Sequence, residues 1–112
     1  MKPRALVTGA SGFIGRHLVA QLEHAGWSVV RAVRTAPSGL SSGVLDLGPG
    51  PWNTASFAAA IVDAKPDVVF HMAGVTWAEA AADFYAANVM LGAQLLDAVW
   101  NSQSRPAVVL AG

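Results

Sequence analysis

Three glycines at equal spacing, Gly9, Gly12 and Gly15, constrain this chain more than any other feature. They follow a short apolar run, Ala5-Leu6-Val7, which reads as a buried strand. They lead into a helical pattern with Ile14, Leu18, Leu22 and Ala25 expected on one face. Strand, glycine turn and helix in that order form the context in which such spacing means dinucleotide binding. Gly9 permits a sharp turn off the strand. Gly12 lets the backbone come close to a pyrophosphate, because a Cβ there would collide with it. Gly15 lets the helix pack tightly on the strand. Phosphates then meet unpaired N–H groups at the positive end of the helix. The alternative is a plain strand–turn–helix whose glycines serve packing alone; the order of the flanking elements favours binding.

The rest of the chain repeats the alternation. Gly26 stops the first helix. Ser28–Val33 reads as a second strand, 36–43 as a Pro/Ser/Gly loop and Val44–Leu47 as a short third strand. Asn53 or Thr54 caps a helix with Phe57, Ala60, Ile61 and Ala64 inward, which Pro66 ends. Asp67–His71 has the apolar character of a central parallel strand. A long helix is expected over Glu79–Asn101, with Phe84, Ala87, Leu91, Leu95 and Val99 in one stripe. Ala107–Ala111 is the fifth strand. This pattern predicts an α/β fold, a doubly wound parallel sheet in order 3-2-1-4-5. Ligands in such sheets sit at the switch point between the first and fourth strands, outside the carboxyl ends.

The motif also carries a resemblance. Thr8-Gly9-Ala10-Ser11-Gly12-Phe13-Ile14-Gly15 resembles the TGxxGxxG signature of the extended short-chain dehydrogenases/reductases, the NAD-dependent epimerase/dehydratase group. That resemblance implies a Rossmann-type fold, with Thr8, Gly9, Ser11, Gly12, Phe13, Ile14 and Gly15 around a dinucleotide. Asp46-Leu47 matches the family's Asp and apolar residue at the adenine; an Asp capping its own turn is the competing reading. His71-Met72-Ala73-Gly74 resembles the HLAA-type segment, departing at the last two positions. Met72, Ala73 and Gly74 would pass close to the nicotinamide ribose and pyrophosphate. His71 itself reads as a structural histidine. Asn88-Val89, Gly92 and Leu95-Leu96-Asp97-Ala98 resemble the NVxGxxxLLDA helix, whose Asn supports the active-site strand. An ordinary helix Asn is the competing reading for Asn88.

Cofactor choice is read from the end of the second strand. NAD-type sites place an acid there, about 20 residues past the glycines, to bond the ribose 2′-OH. Here Val33 holds that position and Arg34 follows. Valine accepts no hydrogen bond, whereas arginine pairs with a 2′-phosphate, so NADP is expected over the alternative, NAD. Arg16 and Arg31 are weaker candidates for the same phosphate.

No catalytic residue is expected within these residues. The resembling family carries a Ser or Thr after the fifth strand, then a Tyr-x-x-x-Lys pair and a substrate domain. Tyr85 has Val89 four residues on, so it opens no such pair. His17 and His24 lie two helical turns apart, too far to share one metal, and Ser11 has no nearby base. The expectation is therefore one incomplete dinucleotide-binding domain over 1–112, from an enzyme acting on a nucleotide-sugar or similar alcohol/carbonyl substrate. A non-catalytic dinucleotide-binding sensor or structural subunit is the alternative.

Charge and composition narrow the partners. Seven Lys+Arg balance seven Asp+Glu, with none of the basic clustering that nucleic acid or an anionic membrane surface requires. There is no cysteine, and no apolar run approaches the ~18 residues of a membrane span. A cytoplasmic location is expected from these features. Only 12% of residues are charged, against a usual ~25%. An apolar fifth strand at the sheet rim is therefore expected to leave a bare face and to promote self-association, or to need further chain.

Overall fold

The computed structural model describes residues 2–34, 43–48, 52–72, 82 and 89–110. Five strands form one parallel sheet: β1 (Arg4–Thr8), β2 (Ser28–Val33), β3 (Val44–Asp46), β4 (Val68–His71) and β5 (Ala107–Leu110). Their order is β3-β2-β1-β4-β5, the doubly wound arrangement expected from the alternation. Among the described residues, helices α1 (Phe13–His24), α2 (Thr54–Ala64) and α3 (Leu91–Asn101) flank the sheet.

The period-2 alternation of β1 divides the core into two layers. Ala5 and Val7 face α1, meeting Val19, Leu22 and Val29. Leu6 faces the opposite way, into a cluster with Ala32, Phe57, Ala60, Ile61, Val69, Leu95, Ala98 and Val99. The second cluster is the larger because α2 and α3 both pack on that face. Asn53 starts α2 through a capping box: its side chain accepts from the Ser56 N–H, and the Ser56 hydroxyl accepts from the Asn53 N–H. Lys65 ends it in a left-handed conformation (φ 48°) just before Pro66, as the sequence stop implies.

Two features differ from the expected pattern. The buried stripe of α1 is Gly15, Val19 and Leu22, whereas Ile14 and Ala25 are exposed. Gly15 lies against the turn leaving β1, and that close approach, rather than the apolar spacing, fixes the rotation of the helix. The third strand is also shorter than expected: it ends at Asp46, although the Leu47 N–H still donates to the Val33 carbonyl at 2.9 Å. Most of the long helix expected before Leu91 lies outside the described residues, including Phe84 and Ala87. Val89 and Met90 form a wider π-type turn leading into α3.

Among the described residues, the rim at β5 is apolar and open. In register with Phe70, Val109 faces the α1 side and is 44% exposed; Leu110, beside His71, is 49% exposed. Trp27 shields part of Phe70 through an edge-on ring contact at 6.0 Å. No described helix covers Val109.

Candidate dinucleotide site

The carboxyl ends of β1, β2, β3 and β4 share one edge of the sheet, and most expected site residues fall along it. At the end of β1 the chain turns at Gly9, whose φ of 67° is the left-handed region that glycine enters without strain. The Gly12 N–H closes this turn onto the Gly9 carbonyl at 3.2 Å. Gly12 is the N-cap of α1 with extended backbone (φ −73°, ψ 170°), and it offers no side chain to the helix end. The first turn of α1 holds no acidic residue. The N–H groups of Phe13, Ile14 and Gly15 therefore lack acceptors within their own helix, and the first intrahelical bond of this turn is Arg16 N–H to Gly12.

Gly12 and Gly15 are required for different reasons. A Cβ on Gly15 would overlap the Gly9 carbonyl oxygen and stand 2.8 Å from Gly9 C and 2.9 Å from Ala10 Cα. Those neighbours are backbone, so the helix itself would have to move. A Cβ on Gly12 would meet only the Gly9 oxygen, at an ordinary 3.4 Å. The fold thus has room for a side chain at Gly12. An open cradle at a helix N-terminus, lined by N–H groups that have no acceptor in their own helix, fits a phosphate. Ser11, Phe13 and Ile14 surround it exposed, the latter two at 67% and 63%.

Thr8 lies beneath this cradle. It is fully buried, and its hydroxyl pairs with Nδ1 of His71 at 2.7 Å. Burial lowers the His71 pKa below its usual value, so the imidazole is neutral at pH 7. Met72 continues the β1–β4 ladder past the strand ends, its N–H donating to the Thr8 carbonyl at 3.1 Å. Ala73, Gly74 and Asn88 lie outside the described residues.

Arg34 directly follows the end of β2 and is exposed at the same edge. Arg31 does not share that position: it sits inside the ladder between Val7 and Val44, and its Nε is buried without a hydrogen-bond partner among the described residues. Arg16 is exposed on the second turn's approach of α1. Asp46 caps its own turn, with Oδ1 accepting from the Gly48 N–H at 2.8 Å. This is the competing reading of Asp46 realised, and it fixes the carboxylate beside Leu47 at the edge. Trp52, which no motif marks in the sequence, donates its indole N–H to the Gly48 carbonyl at 2.9 Å and braces the same turn.

An open cavity of about 630 Å³ lies at the opposite edge of the sheet, lined by Arg4, Ile61, Lys65, Asp67, Asn101 and Ser104. The carboxyl ends of α2 and α3 point into that region, and their partial negative charge disfavours phosphate. Volume alone therefore does not locate the anion site. Among the described residues, no cluster of three His, Cys, Asp or Glu is placed to hold a metal, and no helix is long and apolar enough to cross a membrane.

A family model described as the NAD dependent epimerase/dehydratase family matches residues 5–112. The chain belongs to that family. Among relatives, it is 35% identical over 99 residues to dTDP-6-deoxy-L-talose 4-dehydrogenase (NAD(P)(+)) of Kitasatospora kifunensis, spanning 86% of this chain and 30% of that protein. Among solved structures, a candidate epimerase from Burkholderia cenocepacia J2315 aligns with TM-score 0.79 and 32% identity over 98% of this chain and 37% of that one. UDP-glucose 4-epimerase from Brucella ovis, solved with NAD, aligns with TM-score 0.78 at 24% identity, covering 96% of this chain and 35% of that one. At that identity the likeness speaks for the fold alone. The chain thus spans about a third of the length of these family relatives.

Proposed function

We propose that this chain is the cofactor-binding part of an NAD(P)-dependent epimerase, dehydratase or reductase acting on a nucleotide-sugar or similar alcohol/carbonyl substrate. The observation that carries this reading is the Gly12 cradle: a glycine whose Cβ the fold itself would accommodate, at a helix start whose N–H groups have no acceptor in their own helix. The pyrophosphate sits there, against the N–H groups of Phe13, Ile14 and Gly15. Arg34 takes the 2′-phosphate, which makes NADP the preferred cofactor. Asp46 and Leu47 flank the adenine. Met72 lies toward the nicotinamide end; the family resemblance assigns Ala73 and Gly74 to the same end of the cofactor and Asn88 to support of the active-site strand. Bound nicotinamide supplies reversible hydride acceptance; the residues named here bind and orient it. A cytoplasmic location is part of the same proposal.

The family match and the dTDP-sugar dehydrogenase relative support the substrate class. Titration of NADP⁺ and NAD⁺ into the wild type and Arg34→Ala tests the reading. Tighter binding of NADP⁺ that the variant loses is expected; failure of both cofactors to bind contradicts it.

A further inference from the structure

We propose that Trp52 is a positioning residue for the adenine end of the site: its indole N–H closes the turn that carries Asp46 and Leu47, in place of a backbone amide that the sequence lacks there. The proposal rests on the reading that the Asp46 carboxylate accepts from the adenine amino group. The turn leaves β3 in three steps. The Leu47 N–H donates to the Val33 carbonyl at 2.9 Å, which ties the turn to the end of β2 beside Arg34. The Gly48 N–H donates to Asp46 Oδ1 at 2.8 Å, and Gly48 takes a φ of 81°, a left-handed conformation that suits glycine. The Gly48 carbonyl then accepts from Trp52 Nε1 at 2.9 Å.

The sequence explains why a side chain closes this turn. A β-turn opening at Gly48 would send its carbonyl to the amide three residues on. That residue is Pro51, and Pro49 stands between them; neither carries an N–H. Trp52, the next residue, supplies an indole donor instead. It is also a fixed point. It directly precedes Asn53, whose capping box starts α2. Its ring meets Phe57 edge-on at 6.0 Å, and Phe57 is fully buried. Leu47 and Trp52 pack against the same core cluster. Gly48 is thus held to α2 and to the core through Trp52.

Holding Gly48 does not use up the Asp46 carboxylate, which can accept about four hydrogen bonds. What the Gly48 bond does is give the carboxylate a direction. An amino group then meets an acceptor already oriented, and binding need not order it. That direction is only as fixed as Gly48 itself. Without the indole N–H, the Gly48 carbonyl loses its tie to α2, the glycine turn relaxes, and the carboxylate moves with it. The effect falls on recognition of the base amino group, because the pyrophosphate cradle lies after β1 and the nicotinamide end lies at β4.

The test compares NADP⁺ with its purine analogue, in which hydrogen replaces the adenine amino group, by calorimetry on wild type, Trp52→Phe and Asp46→Ala. Phenylalanine keeps a ring against Phe57 and removes the N–H donor. Wild type should prefer NADP⁺ by about tenfold or more, as a hydrogen bond to a charged acceptor implies. In Trp52→Phe that ratio should fall by about two- to tenfold, the effect of one neutral hydrogen bond. In Asp46→Ala the ratio should vanish. Affinity for the analogue should stay within about twofold of wild type in Trp52→Phe. Linkage supplies a second measurement on wild type alone: NADP⁺ should slow solvent exchange of the Trp52 indole N–H more than the analogue does. That measurement decides the matter if Trp52→Phe does not fold. Equal weakening of both ligands in Trp52→Phe marks a structural role alone and overturns the proposal, as does equal protection of the indole N–H by the two ligands. Wild type that binds the two ligands alike overturns the adenine reading of Asp46 and this proposal with it. A wild-type preference that Trp52→Phe keeps in full overturns this proposal alone.

Discussion

Substituting Gly12 and Gly15 separately should divide binding from folding. In Gly12→Val the backbone is already extended (φ −73°, ψ 170°), a conformation any L-residue adopts. The added Cβ meets one atom at 3.4 Å. The stability change is therefore within about 1 kcal/mol, or a few degrees in Tm for a domain of this size. Binding is a different matter, because the branched side chain fills the cradle in front of the Phe13, Ile14 and Gly15 N–H groups. Loss of two hydrogen bonds to a charged phosphate costs about 3–6 kcal/mol. That is roughly a hundred-fold to more than a ten-thousand-fold loss of affinity. Gly15→Ala should behave in the opposite way. Its Cβ overlaps backbone of the Gly9 turn, so α1 must lift from the sheet at about 1–3 kcal/mol. Circular dichroism melts paired with NADP⁺ titration read both effects. A folded Gly12→Val that binds within a few-fold of wild type would refute the assignment of the cradle. An unchanged melt for Gly15→Ala would refute the steric account of the helix contact.

Arg34→Ala should lower NADP⁺ affinity by about 1.5–3 kcal/mol and leave NAD⁺ affinity nearly unchanged, as competitive titration will show. Phe57 is fully buried among Leu6, Val69 and Leu95, so Phe57→Ala should cost about 3–5 kcal/mol in denaturant unfolding. The open β5 rim, with Val109 and Leu110 exposed, should make the 112-residue chain self-associate in light scattering over a dilution series; a clean monomer at high concentration contradicts this. With cofactor added, the chain alone should show no oxidoreductase or epimerase turnover, because no acid/base group of tuned pKa is expected within it.

The sheet order was legible in the sequence because each strand is a short apolar run bounded by its own turn signal. The helix rotations were less so. The spacing of Ile14, Leu18, Leu22 and Ala25 reads as one face, but the contact of Gly15 with the Gly9 turn turns α1 until Ile14 points to solvent. A glycine contributes nothing to an apolar periodicity, so that signal is invisible to pattern reading. Gly9 was legible for the reverse reason: only a glycine enters its φ of 67° freely. Asp46 shows where local chemistry leaves a choice open. Its carboxylate both suits an adenine amino group and caps the next turn, and the structure shows the local bond to the Gly48 N–H formed. The Thr8–His71 pair joins positions 63 residues apart, and only the β1–β4 register brings them together.

Amide resonances recorded while NADP⁺ is added test the central claim most directly. The two edges of the sheet make opposite predictions. If the account holds, the N–H groups of Gly12, Phe13, Ile14 and Gly15 shift most, with Arg34, Leu47 and Met72 following at the same edge. Perturbation centred instead on Arg4, Lys65, Asp67 and Ser104, around the cavity at the opposite edge, would contradict it, as would a spectrum that NADP⁺ leaves unchanged.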